Sequence, residues 1–555
     1  MKKIIFIVPP NIPYTDYVQP RFNERQLAKG KIHFNSLSTD MPLGILSMSS
    51  YVKHFSDVTS RLIDFNVVLN RLQDFSFSSF SDFFKSFFLD EEIAGYAPDI
   101  IAISSLFTPA YRNMLDIADS CRQVFPAACI VAGGGVPTNL YREIFRDNAH
   151  FDALCYGEGE KPLLDLVKAE NAKRYLEDSL SWITREKAAA GATFLHDPVT
   201  DLDEIPFYDY DLCRIEDYRV NSTAMAHGDN REHDVFPIMT SRGCPYRCCF
   251  CASHSVHGRG MRFHSISRIR DDLIILKSRY NAGTIAIIDD HFLSDQKRAL
   301  DIITILHQLN VTIFPQNGLA LSSLNRDILI SLKAAGAHNL SLPLESGSQR
   351  VLKDIMHKPL ELSQAVQVIN DCRDLGFYVH IQVIIGLPGE TKQDIEDTRR
   401  FLKTLNANWF MLYCASPLPG SEMYDICVEK KYLPRDRLQL ESDFKHPVIQ
   451  TEEFTPEYIL ETAYLINLDI NFVNNPDCRL GEYASALIGF ERAIRVCSDH
   501  AIAWYYASTC HLALGNKNAA NECIQRAYDI VGHSQFWRNY FELFGIPIRM
   551  PDMLK

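Results

Sequence analysis

The sequence predicts an α/β chain that ends in helices. Three observations carry that expectation: short apolar runs alternate with helical patterns over the first third, the alternation returns from residue 235 to 424, and small residues recur 34 positions apart near the end. The 555 residues suit three or four domains, and an apolar fraction of 46% is ample for several buried cores. A formal net charge of −13 leaves no electrostatic footprint for a polyphosphate, so nucleic acid is not an expected partner.

The opening "MKKIIFIVPP" has too short an apolar run for a signal peptide and reads as a buried strand. No apolar stretch approaches the roughly 18 to 20 residues of a membrane helix, so a cytoplasmic chain with reduced thiols and no membrane partner is expected. In "FSFSSFSDFFKSFF", Phe77, Phe80, Phe84 and Phe87 fall at helical spacing and predict a face packed on a core. The runs "VTSRLIDFNV", "PDIIAISSLF", "ACIVAGGGVPT" and "FDALCYGEGEKPLLDLVK", with helical patterns between them, predict a doubly wound parallel sheet. Such sheets bind ligands at the carboxyl ends of their strands. Those ends here carry Ser104 and Ser105, Gly133, Gly134 and Gly135 followed by Pro137 and Thr138, and Gly157, Glu158 and Gly159 of "GEGE". Glycine admits close backbone approach and small hydroxyls supply hydrogen bonds; the competing explanation is turn chemistry alone. "GGG" does not match the dinucleotide fingerprint, so a nicotinamide site is not expected.

An acidic, aromatic stretch, "LDEIPFYDYDLCRIEDY" (202–218), reads as a boundary. The expected division is 1–175, a linker at 176–230, a second α/β domain at 231–445, and a helical domain at 446–555. The strand-like "VFPIMTSRG" leads into the densest group among fifteen cysteines: Cys244, Cys248 and Cys251 as C-x3-C-x2-C, with Cys249 inside it as a spectator. Three thiolates on a four-iron cluster leave one iron open to a chelating ligand. The zinc alternative is Cys3His, completed by His254 or His257, although no second cysteine doublet exists to make a zinc ribbon.

"CPYRCCFC", with Phe250 before its last cysteine, resembles the cluster loop of radical S-adenosylmethionine (SAM) enzymes. The pieces "IAIIDDHF", "QNGLALSSL", "LSLPLESGSQRVLKDIMHKPL", "VHIQVIIGLPGET" and "WFMLYCASPLPGSEMY" follow in that family's order. Each reads as an apolar strand ending in a polar or glycine-rich loop, which makes a partial (β/α) barrel of the TIM type. With the Rossmann-like sheet upstream, residues 1 to 445 resemble the cobalamin (B12)-dependent radical SAM family, of class B methyltransferase type.

The resemblance implies a [4Fe-4S] cluster on Cys244, Cys248 and Cys251. It implies SAM beside Phe250, Glu345, Ser346, Gly347 and the Gly386-Leu387-Pro388 turn. It implies cobalamin against Ser104, Ser105, Gly133 to Gly135, Pro137, Thr138 and Gly157 to Gly159. No D-x-H-x-x-G motif is present, so base-off cobalamin without a protein histidine is expected. Asp289 and Asp290 fall at a strand end facing the same cavity, or cap a helix. The implied reaction is methyl transfer from SAM, through methylcobalamin, to an unactivated carbon of a small-molecule or peptide substrate, with flavodoxin or ferredoxin as electron donor. Oxidative cyclisation or rearrangement on the same scaffold is the alternative within the family; a zinc-binding scaffold is the alternative outside it. Methylthiolation would need an N-terminal cysteine trio, and the first 120 residues contain no cysteine.

Gly481, Ala486 and Ala493 recur as Gly515, Ala520 and Ala527, a period that resembles tetratricopeptide repeats over about 476–532. A tail of this kind either binds a protein or carrier partner or caps the barrel.

Overall fold

The computed structural model describes residues 1–20, 25–219, 222–223, 235–434 and 447–549. Ile4 to Ile7 are buried on both faces, which places their strand in the middle of a sheet. The N-terminal sheet consists of β1 (Lys2–Val8), β2 (Val58–Asp64), β3 (Ile100–Ser104), β4 (Cys129–Gly133), β5 (Ala153–Cys155) and β6 (Trp182–Ile183), in the order β2-β1-β3-β4-β5-β6. All neighbours are parallel except β6, which runs antiparallel to β5. One core lies on each face of this sheet. The chain reverses direction of travel between β1 and β3, so the ligand crevice of this topology opens at their carboxyl ends.

Two expectations shift in this region. The phenylalanine helix is Phe80–Phe88, started by the Ser79 cap, and it buries Phe80, Phe83, Phe84 and Phe88; Phe77 precedes it and packs from outside. The sheet continues to Ile183, inside the segment expected as linker, because Trp182 and Ile183 are buried against β5. The 202–218 stretch is a packed strap. Tyr210 Oη donates to the Pro237 carbonyl at 2.6 Å and Tyr218 Oη to Asp64 at 3.2 Å, tying both domains together. The expected boundaries at 230 and 445 lie outside the described residues.

The second domain places β7 (Val235–Ile238), β8 (Thr284–Ile287) and β9 (Thr312–Pro315) in one parallel sheet, and β10 (Asn339–Glu345), β11 (Tyr378–Ile385) and β12 (Trp409–Cys414) in another. Leu319 N donates to Ser341 O at 3.3 Å where the two sheets adjoin. The six parallel strands follow chain order, which is a barrel left open between β7 and β12.

Helices Tyr483–Val496 and Lys517–His533 start 34 residues apart (517 − 483), as do Ala501–Ala513 and Gln535–Leu543 (535 − 501). The tail covers the open edge of β12: Asn471 accepts from Phe410 N and donates to Phe410 O, both at 2.8 Å, completing a ladder that an edge strand leaves unpaired.

Candidate functional site

The cysteine loop leaves the carboxyl end of β7 and is closed by a ribbon in which Ser241–Arg242 pairs with Arg262–Phe263. Gly243 starts the loop at φ 92°, where a Cβ would stand 2.4 Å from Gly260 O, so the closure requires glycine. Asp289, at the end of β8, accepts from Thr240 N and Oγ1 at 2.6 Å and from Ser241 Oγ at 2.5 Å. Burial pushes its carboxyl up to about 6 against those bonds. Asp290 accepts from Gly243 N at 3.3 Å. The acid pair therefore supports the cysteine loop; the next long helix is capped by Asp295 instead.

Within the loop, Cys244, Cys248 and Cys251 are half-buried, while Cys249 is buried. Cys249 is turned into the protein by two backbone bonds, its N–H to Met356 O at 3.1 Å and its carbonyl from Met423 N at 2.8 Å. The other three thiols interact electrostatically: Cys251 acts on Cys244, and both act on Cys248. Burial pushes the Cys248 thiol up to about 11, opposed by the Lys358 ammonium. Three half-buried thiols on one short loop are the donor set that a four-iron cluster with one open iron takes, and they fit it.

Beside the loop, Glu345 ends β10 at φ 71°, a conformation that costs a non-glycine residue free energy, and Lys358 Nζ donates to its Oε1 at 3.0 Å. Ser346 Oγ lies 3.1 Å from Thr398 Oγ1, and a Cβ on Gly347 would stand 2.8 Å from Thr398 Cα. These two residues press the turn onto helix Lys392–Leu402 and leave Glu345 at the strand end. At the end of β11, Gly386 N and Leu387 N donate to Glu390 Oε2 at 2.6 and 3.1 Å. Leu387 and Pro388 are buried in that turn. Glu390 is itself buried, with its carboxyl pushed up to about 8, and its Oε1 has no protein partner. Phe250 packs against the barrel core. Lys358 and Glu390 were not singled out by sequence reasoning, although both lie inside the quoted motifs.

On the N-terminal sheet, Gly134 has φ 105°, and a Cβ there would lie 2.5 Å from Ser105 O. Gly133 pairs with Ser104 across β3 and β4, and Gly135 opens a short helix containing Pro137 and Thr138. Thr138 Oγ1 accepts from Gly157 N at 3.2 Å and so spans two strand ends. The glycine run thus serves close packing of the protein's own backbone. Ser105 Oγ nevertheless is buried without a protein partner, and Leu106 and Phe107 beside it are exposed. An orphaned hydroxyl beneath an apolar rim at the crevice fits a large, flat, tailed ligand such as cobalamin.

The two sets of strand ends face each other. Asn139 Nδ2 donates to Ser255 Oγ of the cysteine loop at 2.8 Å. Glu158 sends its carboxylate into that loop, accepting from Arg242 Nη1 at 2.8 Å and Arg262 Nη1 at 3.0 Å. It also lies 2.9 Å from His257 Nδ1. Burial pushes the Glu158 carboxyl up, but Arg242, His257 and Arg262 outweigh it and hold the group well below the usual carboxylate range.

The radical SAM superfamily model matches residues 238–402, and the B12 binding domain model matches residues 86–167. An uncharacterized methyltransferase of Pyrococcus horikoshii is 27% identical over 431 residues, covering 77% of this chain and 88% of that one. The cytidylyl-2-hydroxyethylphosphonate methyltransferase of Streptomyces wedmorensis is 25% identical over 407 residues, covering 68% and 75%. In architecture the chain is similar to the radical SAM methyltransferase TsrM of Kitasatospora setae, solved with cobalamin and a [4Fe-4S] cluster. The TM-score is 0.57 at 13% identity, covering 96% of this chain and all of that one. With a segment matching the B12 binding domain whose strand ends meet those of a segment matching the radical SAM superfamily, the chain is similar to cobalamin-dependent radical SAM enzymes in sequence and in architecture.

Proposed function

We propose that this chain is a cobalamin-dependent methyltransferase that moves the methyl group of SAM to an unactivated carbon of a small molecule. The observation that carries this reading is the meeting of two strand-end faces, with the cysteine loop bonded through Ser255, Arg242 and Arg262 to the crevice loops of the N-terminal sheet. The two methyltransferase relatives support the same reaction class.

When bound, the cluster, SAM and cobalamin supply the electron, the hydrogen-abstracting radical and the transferable methyl group. The chain's residues hold and orient them. Cys244, Cys248 and Cys251 would ligate the cluster, and Asp289 and Asp290 fix the loop's entry. Glu345 and Lys358 form a buried pair beside Cys248, suited to the charged amino acid end of SAM. Ser105 and the Gly133 to Gly135 turn would receive cobalamin. A site enclosed between two domains also excludes water from reactive intermediates.

The test is anaerobic reconstitution with iron, sulfide and cobalamin, then reaction with SAM and reductant. Retained cobalamin with both S-adenosylhomocysteine and 5′-deoxyadenosine is the expected result. 5′-Deoxyadenosine alone would move the chain to cyclisation or rearrangement, and failure to hold cluster or cobalamin would overturn the reading.

A further inference from the structure

The carboxylates of "GEGE" are spent on the other domain. Glu160 Oε1 accepts from Arg242 Nη2 and Ser47 Oγ, each at 2.6 Å. Glu158 takes Arg242, Arg262 and His257. The side chains of Arg242, Glu158 and Glu160 are 5%, 2% and 5% exposed, so the network is almost dry. Its cations sit on the two strands of the ribbon that closes the cysteine loop, Arg242 two residues before Cys244. Its anions sit at the ligand face of the N-terminal sheet, Glu158 on the loop after β5 and Glu160 at the first position of the helix that follows. A buried charge pair is weak evidence for added stability; it is better suited to fixing one geometry among several.

We infer that Glu158 and Glu160 are positioning residues, an interdomain latch that sets the cluster loop at a fixed place relative to the cobalamin crevice. The inference rests on the proposed function for its chemical consequence but not for its structural one. SAM has two fates in such an enzyme. Reductive cleavage, in which one cluster electron breaks the S–C5′ bond, gives methionine and a 5′-deoxyadenosyl radical, which takes a hydrogen atom from substrate or, without it, from the reductant or buffer to become 5′-deoxyadenosine; it needs only the barrel. Transfer of the methyl cation from the sulfonium to reduced cobalt gives S-adenosylhomocysteine and needs both domains in register. A loosened latch therefore lowers the second fate more than the first.

The experiment compares wild type with Glu158→Gln, each reconstituted with iron, sulfide and hydroxocobalamin and given SAM and a chemical reductant without substrate. The expected variant keeps its iron and cobalamin. Its ratio of S-adenosylhomocysteine to 5′-deoxyadenosine falls roughly tenfold to a hundredfold, as about an ångström of misplacement would cause. Backbone amides of 243–262 exchange hydrogen faster in the variant, even without cofactors. Arg262→Lys, which keeps the charge, falls less than Arg262→Met. If Glu158→Gln does not fold, His257→Asn, the least buried member of the network, shows a smaller fall in the same ratio. An unchanged ratio with unchanged exchange overturns the latch, and so do both products falling together with the iron. Wild-type protein that forms no S-adenosylhomocysteine defeats the proposed function instead, and the exchange measurement still decides the latch.

Discussion

The barrel is gripped at both ends by buried carboxylates, yet the two grips serve different purposes. At the carboxyl ends of its strands, Glu158 and Glu160 of the N-terminal domain hold arginines that belong to the cysteine loop itself. At the amino ends of β11 and β12, Asp477 of the tail binds Arg373 Nη2 at 2.7 Å and Asn408 Nδ2 at 3.1 Å, and Asp469 binds Lys403 Nζ at 2.7 Å. The chemistry is the same and the location differs. In such barrels the carboxyl face carries catalysis and the amino face carries stability, so the first seam should govern what the cofactors do and the second whether the edge of the barrel stays covered.

The largest effect that sharpens this contrast is at the cluster. Cys244→Ala, Cys248→Ala or Cys251→Ala should each bring bound iron to background and abolish SAM cleavage, read by iron and sulfide analysis and product quantification. Next is Gly134→Ala, where φ 105° and a contact of 2.5 Å to Ser105 O leave no room for a methyl group. It should lose cobalamin while keeping iron, measured as cobalt against iron content. By contrast Asp477→Ala should leave both contents unchanged. It removes a carboxylate that is 1% exposed, while Arg373 keeps Glu482 at 2.7 Å and Asn408 keeps Ser485 at 3.2 Å. Losing hydrogen bonds to a charged buried group costs about 1.5 to 3 kcal/mol, read by chemical denaturation. Lost cofactor in that variant would erase the distinction between the two faces.

The tail also carries a pH signature. His500 is packed between Phe472 and Trp537, ring centroids 4.8 and 4.7 Å away, and its Nδ1 accepts from Ala503 N at 3.1 Å, so it must be neutral in the folded state. Burial lowers its pKa to about 4. Because the folded pKa lies below the unfolded value near 6.5, the unfolded chain takes up the proton first on acidification. Stability is intact above pH 6.5 and falls by about 1.4 kcal/mol per unit down to about pH 4. His500→Asn, which can still cap the helix, should flatten that slope in denaturation curves taken across the range.

What could be read from sequence follows from how local each signal is. The cysteine spacing, the "GLPGE" turn and the strand alternation are local, and the architecture grew from them. The 34-residue period also matches helix starts at Tyr483 and Lys517. Partners distant in sequence left no mark: Glu158 looked like a loop residue lining a ligand because Arg242, 84 positions away, cannot be paired with it by inspection. Asp289 could equally have been a cap, since its roles on Thr240 and Ser241 depend on how β7 and β8 lie side by side. The bond of Asn471 to the edge of β12 spans 61 residues and is likewise invisible until the barrel is built. The glycines of "GGG" were legible as glycines, but the atom that demands one, Ser105 O, was not.

The smallest expected effect is the most discriminating about motif membership. Cys249 lies between two candidate ligands in sequence, yet it is 3% exposed and its backbone is pinned to Met356 and Met423. Cys249→Ala keeps both backbone bonds and removes one small buried group, so it should cost about 1 kcal/mol of stability and leave iron content and SAM cleavage at wild-type levels. Iron falling in that variant would make Cys249 a ligand and place the open coordination position elsewhere. Iron holding steady would mean that a residue inside the most specific motif of the chain behaves like those at the amino face, because the direction of a side chain, and not its place in the pattern, decides which face it serves.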